Sequence, residues 1–65
     1  MERLFAENLK ILRLSQKMSQ KQLAEKLKVS FKTISHWESG YSEPSLEILC
    51  KLKSVLNCSY DDLLD

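Results

Sequence analysis

Apolar residues along this chain recur at helical spacing, and no segment alternates as a strand would. Phe5, Leu9 and Leu12 fall at i, i+4 and i+7, which predicts a first helix from about Glu2 to Gln16. Leu4, Ile11 and Leu14 widen that stripe beyond what one neighbouring helix needs. Ser19, with Gln22 three residues later, makes a capping box. The helix it opens runs to about Leu27 and turns Leu23, Ala24 and Leu27 inward. Lys28-Val29-Ser30 breaks the pattern. Ser30 caps a third helix with Ile34 and Trp37 inward, and Gly40 suits the left-handed position just past its end. Tyr41 to Pro44 form a loop. Ser45 caps a fourth helix facing Ile48, Leu49, Leu52 and Leu56 inward, and Asn57 stops it. Ser59 caps a last short helix, with Asp61 and Asp62 in its first turn, where negative charge is favoured. The expected fold is all-α, a five-helix bundle forming one domain over residues 1–65.

Composition narrows the class without changing the architecture. The chain is 43% apolar and 29% charged, the balance of a folded globular protein rather than a disordered one. No apolar run approaches the roughly 18 residues of a membrane span. The leading MERLFAENLK carries acids and no signal-peptide core, so a cytoplasmic, nucleoid-associated setting is expected. Cys50 and Cys58 are too few for a disulfide framework and are expected to be reduced, small, buried apolar residues. Their spacing fits no metal pair, and His36 is the single histidine, so neither a metal nor a cofactor is expected. One His, two distant Cys and no phosphate-cradling glycine loop give no catalytic constellation, so the chain does not read as an enzyme.

The net charge of +1 conceals a polarised distribution. Residues 1–37 hold eight Lys or Arg against three Glu, whereas residues 38–65 hold two Lys against six acids. Such a chain can present a basic face while staying nearly neutral as a whole. Two solvated surfaces of opposite sign would give the same count, so the asymmetry supports a polyanionic partner without requiring one.

The stretch from Ser19 to Gly40 carries the functional signal. Two short amphipathic helices around a three-residue break form a helix-turn-helix, whose second helix is of a size to enter the DNA major groove. The outward positions of the third helix are Phe31, Lys32, Ser35 and His36, with Thr33 on the flank. Lys32 can donate to guanine, His36 can donate or accept, Ser35 can do either with little discrimination, and Phe31 can pack on a thymine methyl. The competing reading is a plain solvated helix face, which leaves the exposed position of Phe31 without a role. Gln20 at the start of the second helix can bond a phosphate and brace the third helix, although Ser19–Gln22 would make the same sequence pattern as a simple cap. Thr33 and Ser39, and the lysines Lys10, Lys17 and Lys21, are further phosphate candidates. Arg13 lies beside the apolar stripe of the first helix, and a bridge to Glu38 would lock the two helices together.

The residues from Leu9 to Arg13, Met18-Ser19-Gln20, Leu23-Ala24, Ile34-Ser35-His36-Trp37-Glu38-Ser39-Gly40, Pro44-Ser45-Leu46 and Asp61-Asp62-Leu63-Leu64 together resemble the phage repressor and Cro-like helix-turn-helix family, the XRE family. The resemblance covers nearly the whole chain. It implies a five-helix lambda-repressor-like domain that binds operator DNA as a two-fold homodimer. It implies phosphate contacts from Gln20 and Ser39, base-reading positions at Phe31, Lys32, Ser35 and His36, and an Arg13–Glu38 pair. Two departures stand out. The family usually has Gly where Lys28 stands, so either Lys28 is left-handed at a cost of about 1 kcal/mol or the turn differs. The loop Tyr41-Ser42-Glu43 is also poorer in positive charge than in many relatives.

The expected function is a sequence-specific double-stranded DNA-binding transcriptional regulator, a repressor in the first instance. The alternative is a protein-interaction module on the same fold, such as an antitoxin or anti-repressor partner. Candidate dimer surfaces are Tyr60, Leu63 and Leu64 near the C-terminus, or Leu4, Ile11 and Leu14 on the first helix, although ordinary packing between the first and fifth helices is the preferred reading for at least half of them.

Overall fold

Among the described residues, serines open four of five helices, and left-handed residues close four. The computed structural model describes residues 3–65. The helices are α1 (Arg3–Ser15), α2 (Gln20–Leu27), α3 (Phe31–Ser39), α4 (Leu46–Leu56) and α5 (Tyr60–Leu64). The expected start at Glu2 lies outside the described residues, and α1 ends at Ser15, one residue before the expected Gln16. Ser19, Ser30, Ser45 and Ser59 each accept a hydrogen bond from the backbone N–H three residues later. Ser19 and Ser59 complete reciprocal capping boxes with Gln22 and Asp62. A serine cap contributes about 1 kcal/mol, a large share of the roughly 3–10 kcal/mol total that a chain of this length commands.

The helix ends follow one pattern. Lys17, Lys28, Gly40 and Asn57 have φ of 58°, 60°, 81° and 53°. After each, the next residue donates its N–H back to the helix: Met18 to Arg13, Val29 to Ala24, Tyr41 to His36 and Cys58 to Lys53. These are Schellman motifs, which satisfy carbonyls that a helix end would otherwise leave bare. Lys28 therefore takes the left-handed conformation, one of the two alternatives open from the sequence. Lys17 does the same, which the sequence pattern had not indicated.

The core gathers Phe5 and Leu9 of α1, Leu23, Ala24 and Leu27 of α2, Ile34 and Trp37 of α3, Leu49, Leu52 and Leu56 of α4, and Leu63 of α5. α1 packs on α3 and α5, while α2 packs on α3 and α4. Asn8 Nδ2 donates to the Leu63 carbonyl at 3.1 Å and ties α5 to α1. The result is an all-α body of 25 × 23 × 21 Å with no strand among the described residues. None of its helices is long and apolar enough to cross a membrane.

Four side chains lie elsewhere than one of the sequence readings puts them. Leu63 is fully buried, so it belongs to the core and not to a dimer surface. Cys50 is exposed and Cys58 only half-buried. The seam of α4 runs through Leu49, Leu52 and Leu56, and Cys50 is rotated about 100° beyond Leu49 toward solvent. Ile48 is likewise half-buried, at the edge of that seam.

Candidate nucleic-acid interface

With Ile34 and Trp37 buried, the remaining face of α3 is set by the helical turn of about 100° per residue. Lys32 points directly away from the buried seam, Ser35 and His36 flank it, and Phe31 and Thr33 stand at the two edges. Phe31 is 51% exposed, one of several large apolar side chains on the surface. Nine residues span about 13 Å at 1.5 Å each, close to the roughly 12 Å width of a major groove.

What fixes this helix is a polar cluster beneath its C-terminal half. Arg13 Nε donates to Glu38 Oε2 at 2.6 Å, and Nη2 donates to Oε1 at 3.0 Å. Arg13 Nη1 donates to the Met18 carbonyl at 2.8 Å, and Gln20 Nε2 donates to Glu38 Oε1 at 3.2 Å. Arg13 is buried, and no buried side-chain nitrogen or oxygen among the described residues lacks a partner. The bidentate fork fixes both distance and orientation. One carboxylate on α3 is thereby held by α1 and by the first residue of α2, while the same guanidinium grips the turn between those helices.

The phosphate candidates are placed less uniformly. Gln20 spends one amide hydrogen on Glu38, but its backbone N–H opens α2 and has no acceptor within the helix. Ser39 donates its single hydroxyl hydrogen to the His36 carbonyl at 3.1 Å and must rotate to reach outward. Thr33 shares a 2.9 Å hydroxyl contact with the capping Ser30. Lys10, Lys17 and Lys21 are exposed. Among the described residues no three His, Cys, Asp or Glu side chains converge as metal ligands would.

Two participants escape a reading by residue type. Met18 contributes through its carbonyl, which any residue could supply. Tyr41 lays its ring against His36 with centroids 4.7 Å apart and planes tilted by 49°. That contact was available in the spacing: the residue after a left-handed glycine returns toward the residue four before that glycine.

Comparison with known proteins agrees with this geometry. Residues 9–63 match a family model described as helix-turn-helix. The chain is 42% identical over 60 residues to the HTH-type transcriptional activator BcrR of Enterococcus faecalis, covering 92% of this chain and 29% of that protein. It is 42% identical over 53 residues to the HTH-type transcriptional regulator DicA of Escherichia coli, covering 82% and 39%. The chain thus spans less than half the length of either relative. The crystal structure of the restriction-modification controller protein C.AhdI from Aeromonas hydrophila superposes with a TM-score of 0.84 at 27% identity, covering 92% of this chain and 91% of that one.

Proposed function

The chain belongs to the helix-turn-helix family, of the phage repressor and Cro-like type, and from that premise we propose that it is a sequence-specific DNA-binding transcriptional regulator. α3 docks in the major groove. Lys32, Ser35 and His36 read base edges, and Phe31 packs against a thymine methyl. The backbone N–H at Gln20 and the side chains of Lys10, Lys17 and Lys21 hold phosphates, with Thr33 and Ser39 at the margins of the groove. The observation that carries this reading is the buried Arg13–Glu38–Gln20 cluster. It fixes the placement of the helix whose outer face carries Phe31, Lys32, Ser35 and His36.

The functional unit is residues 1–65 acting as one domain, and two copies bind a two-fold operator with half-sites about 34 Å apart. One copy offers few phosphate contacts, so pairing supplies the affinity a single domain lacks. Tyr60 and Leu64 near the C-terminus, and Leu4, Ile11 and Leu14 on α1, are among the exposed apolar residues available for it. Repression is the direct outcome of occupying a promoter, whereas activation demands a further contact with the transcription machinery. The relatives' names support the regulatory role.

Selection of bound duplexes from a random pool tests the proposal, followed by titration of the winner at several salt concentrations. The expected result is a two-fold motif whose affinity falls steeply with salt. Failure to retain any duplex at low salt, or a flat salt response, would overturn it.

A further inference from the structure

We propose that Tyr41 is a positioning residue for base recognition, acting by holding the His36 imidazole in its reading orientation. The inference rests on the DNA-reading role of α3 given above. It begins from a comparison of the four Schellman motifs in this chain. In three of them the residue after the left-handed position is Met18, Val29 or Cys58, and each turns inward against the core. Tyr41 occupies the equivalent place after Gly40, yet it remains 79% exposed. Its ring meets His36 on the outer part of α3 instead.

The backbone gives this contact a fixed base. The His36 carbonyl accepts the N–H of Tyr41 at 2.9 Å and of Ser42 at 3.4 Å, together with the Ser39 hydroxyl at 3.1 Å. The residue that carries the imidazole is therefore the anchor of the turn that carries the phenol ring. Gly40 at φ 81° lets the chain reverse within so few residues. A tilted ring pair at 4.7 Å is an attractive arrangement.

A histidine side chain on an open helix face samples several rotamers, and binding a base through only one of them loses the entropy of the rest. The Tyr41 ring restricts that sampling before DNA arrives. The contact uses the ring and spends neither imidazole nitrogen, so both remain for a base edge. Tyr41 thereby acts on sequence preference at one base pair rather than on general affinity. The same loop is poor in positive charge, so it is better suited to that task than to gripping phosphate.

The test measures relative affinity for the selected operator and for operators changed at single base pairs. It compares the wild-type chain with His36→Ala, Tyr41→Ala and Tyr41→Phe. His36→Ala identifies the pair that His36 reads. Tyr41→Ala is expected to lose about three- to tenfold of the discrimination at that same pair, with other pairs and the unfolding midpoint little changed. Tyr41→Phe keeps the ring and should retain discrimination within about twofold. Full discrimination in Tyr41→Ala, with His36→Ala deficient, would overturn the role of Tyr41 and leave the DNA-reading proposal intact. Uniform weakening by both Tyr41 variants would also overturn it, marking the hydroxyl as a phosphate contact. Absence of any sequence preference in the wild-type chain would instead remove the premise.

Discussion

Removing one member of the Arg13–Glu38 pair should be far more damaging than removing both. The two side chains are 8% and 5% exposed, so each charge is almost entirely out of water. Replacing Glu38 by Met leaves the guanidinium with the Met18 carbonyl alone and strips Gln20 Nε2 of its acceptor. An uncompensated buried charge costs about 3–5 kcal/mol. Set against a total of roughly 3–10 kcal/mol, Glu38→Met brings the chain close to unfolding. A loss of 3 kcal/mol alone corresponds to a midpoint lowered by about 12 °C or more. Arg13→Met is damaging for the mirror reason, since it leaves a buried carboxylate with only the Gln20 amide.

The double variant, Arg13→Met with Glu38→Met, contains neither charge. Its residual cost comes from the unpaired Met18 carbonyl and Gln20 amide, about 1–2 kcal/mol together, offset in part by new apolar contact. A double-mutant cycle in urea, with sucrose added so that the single variants stay folded, should return a coupling energy of at least about 2 kcal/mol. Exposed ion pairs give about 0–1 kcal/mol. A coupling below about 0.5 kcal/mol, with the singles simply additive, would refute the claim that this cluster acts as a desolvated unit. The double variant should also fold yet discriminate operators poorly, because a flexible Met pair does not set the angle of α3 as a bidentate fork does.

Two further predictions concern single positions. Lys28→Gly should stabilise by about 0.5–1 kcal/mol, because relief of left-handed strain at φ 60° exceeds the added entropy of the unfolded chain; Lys28→Ala, which keeps that strain, should not, and equal stabilities of the two variants in urea would contradict the account. Burial, reinforced by the Asp62 carboxylate and opposed by Lys53, pushes the Cys58 thiol up. The neutral thiol is then favoured in the fold, so its contribution is full below the unfolded thiol pKa of about 8.5 and is lost as pH rises from there through the folded value; iodoacetamide at pH 8 should modify exposed Cys50 well before Cys58, and equal rates by mass spectrometry would contradict it.

Helix starts were legible in the sequence because serine states its role chemically. A hydroxyl at Ser19, Ser30, Ser45 or Ser59 satisfies an N–H that nothing else nearby can reach. Helix ends were legible at Gly40 and Asn57 from the residue's left-handed preference, and at Leu27 from the break in the apolar pattern. Lys17 has none, and its conformation is imposed from outside. Met18 and Val29 pack against the core just after Lys17 and Lys28, and the burial of those neighbours offsets the strain at the turn. The signal was therefore present one residue downstream, in the hydrophobe rather than in the turn residue. Cys50 is exposed for a related reason: its place on the helical wheel, one residue past Leu49, outweighs the general tendency of cysteine to be buried.

The site shows the same division between what a residue type announces and what only the packed chain decides. Arg13 in an apolar stripe announces a partner, and Glu38 is the acid nearest in kind and place. Gln20 braces the third helix as its position suggests, but that its partner there is Glu38 depends on how α2 and α3 sit on one another, which no periodicity encodes. This third contact changes what Gln20 does, since one amide hydrogen of its side chain is held by Glu38 while its backbone N–H has no acceptor within α2. A chain of net charge +1 draws its attraction to a polyanion from the basic residues 1–37 rather than from its total charge. Its helix-reading face carries a single lysine, Lys32, beside a half-buried histidine and serine. Under those conditions selectivity depends on donors and acceptors held at fixed positions rather than on charge. The internal polar contacts of Arg13, Gln20 and Glu38, and the ring contact of His36 with Tyr41, each fix a part of that face before any DNA is met.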